Sequence, residues 1–383
     1  MYNWQHLEWA NFRYDRSVIC EIAPGFLEKS NEMDCIWQSL DTTQQQEELI
    51  RLLIAEAATT SEIEGEFLSR QDLMSSIKNN LNLNVKPETV SDKKAVAISN
   101  MLVYIRNSYD KKLTVNEIKQ WHRLLFENSK TVKAGKWRTA SEPMQVVSGA
   151  LGKEIIHFEA PPSYRVPVEM KHFVYWYNAF KIKEFNVDAL IKTAISHLYF
   201  ESIHPFEDGN GRIGRALAEK CLAQSTGKQV LLSLSSVIDK NKQQYYAALK
   251  KAQTSLEITE WIIYLADVIK QAQDDAIATI RFSIQKTLFF DRFHNQLNAR
   301  EMKAIKKMLD AGTEGFEGGM TAKKYKSINQ TSKATATRDL QRLSKIGILI
   351  AKGGGRNQHY EMAILHKFAH ILNSCADVRH EKY

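Results

Sequence analysis

At 383 residues the chain is too long for one typical core, and a norm of roughly 100 to 200 residues per domain gives two or three domains. With 44% hydrophobic and 25% charged residues and no low-complexity tract, the composition excludes a disordered or fibrous chain, and no apolar run reaches the roughly 18 residues that cross a bilayer. The net charge of +8 is concentrated: from Lys323 to Arg356 there are nine Lys or Arg residues and a single acid, Asp339.

The opening run MYNWQHLEWANFRYDR mixes acids, bases and aromatics without an apolar leader or a small-residue cleavage site, so the expected location is the cytoplasm. Cys20, Cys35, Cys221 and Cys375 are scattered and form no CxxC pair, which supports neither a disulfide framework nor a zinc site. Apolar spacing of three to four dominates, so the chain is expected to be mainly α. Residues 42–60 form a helix that gathers Leu49, Leu52, Leu53, Glu56 and Thr60 and ends at Gly65. Ser69, with Asp72 three residues on, caps a second helix.

Within 136–165, VVSG and KEIIHF are β-prone around a glycine turn and stop at Pro161 and Pro162, which predicts a β-hairpin. Residues 188–202 then predict an apolar helix with Asp188 as its cap and Ile191, Ala194, Ile195 and Leu198 on the buried side. A further helix, RIGRALAEKCLAQ, leaves HPFEDGNG as the loop between the two. A boundary is expected near 285–298. Beyond it, residues 299–311, 320–329 and 331–346 read as three short helices, and ILIAKGGGRNQHYEM as two strands about a glycine turn.

The run HPFEDGNGRIGR carries the chemistry. Two glycines flank Asn210 just before a helix, and such a loop exposes backbone N–H groups where the helix dipole favours an anion. Arg212 and Arg215, three apart, can direct forked donors at one polyanion. His204 at the loop's mouth suits proton abstraction from a hydroxyl, and Asp208 is the single carboxylate that a phosphate-bound Mg²⁺ takes from a protein. Phe206, apolar in a polar loop, is expected to anchor it to the core.

This run resembles the signature of the Fic family, His-x-Phe-x-Asp/Glu-Gly-Asn-Gly-Arg-x-x-Arg, at every defined position. The resemblance implies a Fic-fold helical core with a β-hairpin flap and a protein adenylyltransferase that moves AMP from ATP to Ser, Thr or Tyr hydroxyls of target proteins, itself included. His204 would deprotonate the hydroxyl, Asp208 would hold Mg²⁺, and Gly209, Asn210, Gly211, Arg212, Ile213 and Gly214 would form the ATP-binding turn, with Arg215 on the γ-phosphate. IIHFEAPP resembles the family's flap, which makes Ile156, His157, Phe158 and Glu159 the residues that meet a target strand. NKQQYYAAL resembles the segment bordering adenine, so Tyr245 is a nucleotide contact and Tyr246 either another or a helix-core aromatic.

TSEIEG at 60–65 matches the inhibitory pattern of one Fic class, with Thr60 and Glu64 one helical turn apart. The resemblance implies that Glu64 pairs with Arg215 and takes the place of the γ-phosphate contact; the same carboxylate could instead orient a water that removes AMP. Dimerisation is expected by resemblance only.

The C-terminal helices and basic hairpin resemble a winged-helix (α+β) domain. Ser332, Lys333, Thr335, Thr337 and Arg338 would open its recognition helix, with Leu340, Leu343 and Ile346 facing inward, and Lys352, Arg356 and Gly353 to Gly355 would form its wing. DNA binding and a dimerisation or docking role both fit. The expected organisation is 1–95 with the inhibitory helix, 96–285 catalytic, and 290–383 winged-helix-like. A rival reading makes the chain a nucleotide-sensing DNA-binding regulator, although a sensor needs the phosphate cradle and not the base His204.

Overall fold

A computed structural model describes residues 1–363 except 85, 149–154 and 313–314, with the side chains of Val147, Ser148, Ile155 and Arg356 also outside the description. The expected flap turn and Cys375 therefore lie outside the described residues. Two compact units divide at Ala276/Ile277. The division falls inside a single helix, which runs on to Phe293 and so ends within the stretch where the sequence suggests a boundary.

The first unit is helical, with one small hairpin. In order it contains α1 (Arg16–Gln38), α2 (Thr42–Ile63), α3 (Arg70–Asn80), α4 (Lys93–Asn107), α5 (Val115–Phe126), β1 (Gln145–Ser148), β2 (Ile155–Glu159), α6 (Val166–Ala179), α7 (Phe185–Ile203), α8 (Asn210–Thr226), α9 (Leu234–Lys240) and α10 (Lys242–Ala252), and α11 (Thr259–Phe293) begins in it. Among the described residues no helix is long and apolar enough to cross a membrane.

Local chemistry explains the ends of the key helices. Asp41 accepts the Gln44 amide N–H at 2.9 Å while the Gln44 side chain accepts the Asp41 N–H at 3.0 Å, so a capping box starts α2. Ser69 caps α3 as expected. Helix α7 differs from the expectation: it begins at Phe185, and Asp188 lies inside its first turn rather than capping it. The Asp188 carboxylate accepts the N–H groups of Lys183 and Glu184 at 2.7 and 2.8 Å and pairs with Arg16.

Nor does α7 have one buried side. Every residue from Val187 to Ile203 is buried, so it is the central rod of the unit, as expected for a helix covered on all sides. Its Tyr199, Phe200 and Ile203 belong to the same core cluster as Leu53, Ile98, Trp121, Phe173 and Ile213. Strands β1 and β2 pair antiparallel from Gln145↔Glu159 to Ser148↔Ile155, with a bulge after Val146 that bends the hairpin.

The second unit contains the rest of α11, then α12 (Ala299–Leu309), α13 (Ala322–Asn329), α14 (Lys333–Lys345), and the antiparallel pair β3 (Leu349–Lys352) and β4 (His359–Met362). Its core is built from Ile305, Met308, Tyr325, Leu340, Leu343 and Met362. Ser332 caps α14 by accepting the Thr335 N–H, and Ile346 sits half-buried at its end. Glu301, fully buried, accepts two hydrogen bonds from Arg342 at 2.8 and 2.7 Å.

Candidate active site

The chain between α7 and α8 turns twice through left-handed backbone, at His204 (φ 50°) and at Gly209 (φ 81°). A Cβ at Gly209 would lie 2.6 Å from the Phe126 ring, so close packing as well as dihedral angle calls for glycine there. Phe206 is fully buried and stacks on the His122 ring, 3.9 Å between centroids, and this anchors the loop as its apolar character suggests. The Asn210 side chain closes the turn, accepting the Phe206 N–H at 3.0 Å and donating to the Phe206 carbonyl at 2.9 Å.

His122 and Arg138 position the loop, and neither is marked in the sequence. The Gly135 N–H donates to His122 Nδ1 at 2.8 Å, which leaves Nε2 to carry the proton toward the Asp208 carbonyl 3.3 Å away. Burial, opposed by that carbonyl, depresses the His122 pKa to about 4. Arg138, also buried, donates from Nε to the His204 carbonyl at 2.7 Å, from Nη2 to the carbonyls of Ile203 and Pro161, and from Nη1 to Ser163 Oγ. Its own N–H donates to the Pro205 carbonyl. One side chain thereby ties the end of the hairpin to the backbone of the loop.

The loop borders a cavity of about 760 Å³, whose walls include the end of α7, the start of α8, the hairpin and α10. His204, Asp208, Gly209, Asn210, Gly211, Arg215, His157, Phe158, Tyr245, Tyr246 and Glu64 all line it. Other residues of the expected set do not. Ile213 packs in the core, Gly214 faces Glu201, Arg212 pairs with Glu66 at 2.6 Å and Asp208 at 3.3 Å, and Ile156 and Glu159 are absent from the lining.

His204 is mostly buried, and burial together with the Arg138 charge depresses its pKa to about 4, so the imidazole is neutral at pH 7. Glu201, one turn earlier, places Oε2 3.8 Å from His204 Nδ1. Burial raises the Glu201 pKa to about 8 against the pull of Arg215, and Oε1 has no hydrogen-bond partner among the described residues.

Arg215 is 1% exposed and held by α2. Its Nε donates to Thr60 Oγ1 at 2.9 Å, and Nη2 donates to the Thr60 carbonyl at 2.9 Å and to Glu64 Oε1 at 2.8 Å. Burial opposes the Arg215 charge, but Glu64, Tyr245 and Glu56 together outweigh it and raise the pKa. A Cβ at Gly211 would lie 2.3 Å from Glu64 Oε1, so glycine in the first turn of α8 lets a carboxylate rest against the helix N-terminus. The side chain of Glu64 is 30% exposed.

Tyr245 is buried, with Oη 3.3 Å from His197 Nε2, whereas Tyr246 is 44% exposed beside it and so is not a helix-core aromatic. Asp208 is half-exposed; its Oδ1 accepts the Gly209 N–H at 2.5 Å, and Oδ2 has no protein hydrogen bond among the described residues. One open carboxylate oxygen beside an anion site fits Mg²⁺, which completes its shell with water and phosphate oxygens.

A neutral histidine, an arginine and a glycine-bearing helix start border one cavity, and such an arrangement can take an anionic, nucleotide-sized ligand with a proton acceptor beside it. Residues 112–222 match the Fic/DOC family, and residues 2–83 match a domain of unknown function (DUF4172). His204, Asp208 and Arg215 lie inside the segment that matches the Fic/DOC family.

Similar curated proteins include a probable protein adenylyltransferase of Aquifex aeolicus, 36% identical over 96 residues, which are 25% of this chain and 27% of that protein. Another is the protein adenylyltransferase fic-1 of Caenorhabditis elegans, 28% identical over 154 residues, 40% of this chain and 27% of that protein. The chain thus spans only about a quarter of the length of each. The fold is similar to that of a crystallised Fic family protein from Desulfovibrio desulfuricans, with TM-score 0.51, 17% identity, and 88% of this chain and 96% of that one covered. It is also similar to the solved Fic-1 fragment of C. elegans, with TM-score 0.51, 21% identity, and 70% and 74% covered.

Proposed function

We propose that this protein is an adenylyltransferase that moves AMP from ATP to protein hydroxyls and is restrained by Glu64. The observation that carries the reading is the carboxylate of Glu64, seated against Gly211 and bonded to Arg215, where the family resemblance puts the γ-phosphate contact. When Glu64 withdraws, Arg215 and the first turn of α8 are free to hold the triphosphate. The neutral imidazole of His204 takes the proton of a Ser, Thr or Tyr hydroxyl; the oxygen forms a bond to the α-phosphorus, and the bond to the β-phosphate oxygen breaks to release diphosphate.

Mg²⁺ bound at Asp208 would neutralise phosphate charge. Arg138 and His122 keep the loop in place while this happens, and the hairpin offers a strand edge for the target segment. In a cell lysate with α-³²P-labelled ATP, the Glu64→Gly protein should label protein bands and the Glu64→Gly/His204→Ala protein should not. Bands of equal intensity in both would remove His204 from the chemistry.

One observation favours a second role, in DNA binding, for the second unit. Asp339, the only acid among the nine bases, is buried and accepts hydrogen bonds from Tyr325 Oη at 3.0 Å and Arg300 Nε at 3.1 Å. Lys333, Arg338 and Lys352 remain exposed, which suits a winged-helix contact with the phosphate backbone. The full chain should then bind duplex DNA with an affinity that falls steeply as salt rises; binding that is absent at low salt eliminates this role.

A further inference from the structure

The segment matched as a domain of unknown function holds Glu64 toward one end, and its other end reaches the same cavity walls. Asn3 is fully buried. Its N–H donates to the Gln253 carbonyl at 2.8 Å, its Nδ2 to Ser202 Oγ at 2.8 Å, and its Oδ1 accepts the Trp4 N–H at 2.8 Å. Ser202 lies two residues before His204, and Gln253 ends α10, the helix of Tyr245.

The neighbours of Asn3 reach the hairpin. The Trp4 indole N–H donates to the Glu159 carbonyl at 2.7 Å, and the Tyr2 ring meets Phe158 edge-on with centroids 5.1 Å apart. The Arg165 guanidinium lies 5.6 Å above the Trp4 ring. None of residues 2–4 lines the cavity.

A two-stranded sheet is marginal by itself in water, so the place of β2 must be fixed from outside. A buried side chain with its polar groups bonded admits one geometry, and Asn3 thereby pins its two neighbours to the catalytic helix. We propose that Tyr2, Asn3 and Trp4 form a brace that sets β2 over the catalytic cavity. The segment of unknown function then acts on the site twice, through Glu64 on the anion position and through the brace on the strand that meets the target. Tyr2 and Trp4 are positioning residues that act through Phe158 and Glu159. The proposal rests on the reading of β2 as a target-pairing flap.

Amide hydrogen exchange on the full chain without nucleotide tests the brace directly. Trp4→Phe keeps an aromatic ring, though a smaller one, and removes the indole N–H; Tyr2→Ala removes the edge contact and guards against a folding defect peculiar to the first variant. In both, exchange at Gln145–Ser148 and Ile155–Glu159 should quicken about tenfold while residues 185–226 stay unchanged. An unchanged flap, a flap already unprotected in the wild type, or a rise of equal size over 185–226 overturns the brace.

In a Glu64→Gly background, Trp4→Phe should slow self-modification about tenfold and leave the KM for ATP unaltered, whereas a rise in that KM points to damage of the nucleotide site. If Glu64→Gly alone transfers nothing, the adenylyltransferase reading fails, yet the exchange experiment still decides the brace.

Discussion

Replacing Glu64 first by Gln and then by Gly separates charge from occupancy in the Arg215 contact. The wild-type bond spans 2.8 Å between an arginine that is 1% exposed and a carboxylate that is 30% exposed. A charge-assisted bond of this kind contributes about 1.5 to 3 kcal/mol, lowered to about 1 to 2 kcal/mol by the solvent around Glu64. Gln keeps an acceptor at the same reach but makes a neutral bond, weaker by about 1 kcal/mol, so transfer should rise about fivefold. Gly removes the contact and leaves Arg215 to its two Thr60 bonds, so transfer should rise about five- to thirtyfold, since each 1.4 kcal/mol is a factor of ten. Initial rates of AMP incorporation at saturating ATP would show wild type, Gln and Gly in rising order. A Gln variant as silent as the wild type would mean that the carboxylate charge is not the lock, and one as active as Gly would leave no role for the retained amide.

Other consequences concern pH and the loop supports. His122 and His204 are depressed to about 4 and His197 to about 3, all below the ordinary 6.5, so the fold keeps them neutral. The unfolded chain binds more protons below pH 6.5, and the melting temperature should fall steadily from there toward pH 4, each histidine contributing roughly 1.4 kcal/mol per pH unit; a flat profile from pH 7 to 5 contradicts this. Glu201 has the opposite sign: with its folded pKa raised to about 8, its contribution is complete below about 4.5 and is lost as pH rises through 8. Glu201→Gln should therefore gain melting temperature over the wild type progressively between pH 5 and 9, and a constant difference refutes the assignment. Arg138→Met orphans the buried carbonyls of Ile203 and Pro161 and frees His204, so it should lower stability by about 2 to 4 kcal/mol and transfer in the Glu64→Gly background at least tenfold, with Arg138→Lys restoring only part because the fork is lost. Transfer at the parental rate would deny Arg138 its positioning role.

The catalytic run was legible because its chemistry is local: base, metal-type carboxylate, glycines and arginines fall within twelve residues. The cap at Ser69, the hairpin strands and the C-terminal helices were legible for the same reason. What escaped depends on partners far along the chain. Asp188 looks like a cap until Arg16, 172 residues away, claims it, and Arg138 grips His204 across 66 residues. The aromatic N-terminus has no local pattern, since Asn3 finds Ser202 at a separation of 199. Helix α1 is also hard to see, with Pro24 inside it, and α7 looks one-sided because His197 and Glu201 are polar residues buried for the site they serve.

The central claim is that His204 transfers AMP once Arg215 is released from Glu64. Intact mass of the Glu64→Gly protein after incubation with ATP and Mg²⁺ tests it most directly. The account predicts at least one added AMP on Glu64→Gly and none on Glu64→Gly/His204→Ala. An unchanged mass in the first protein, or the same addition in both, would contradict it.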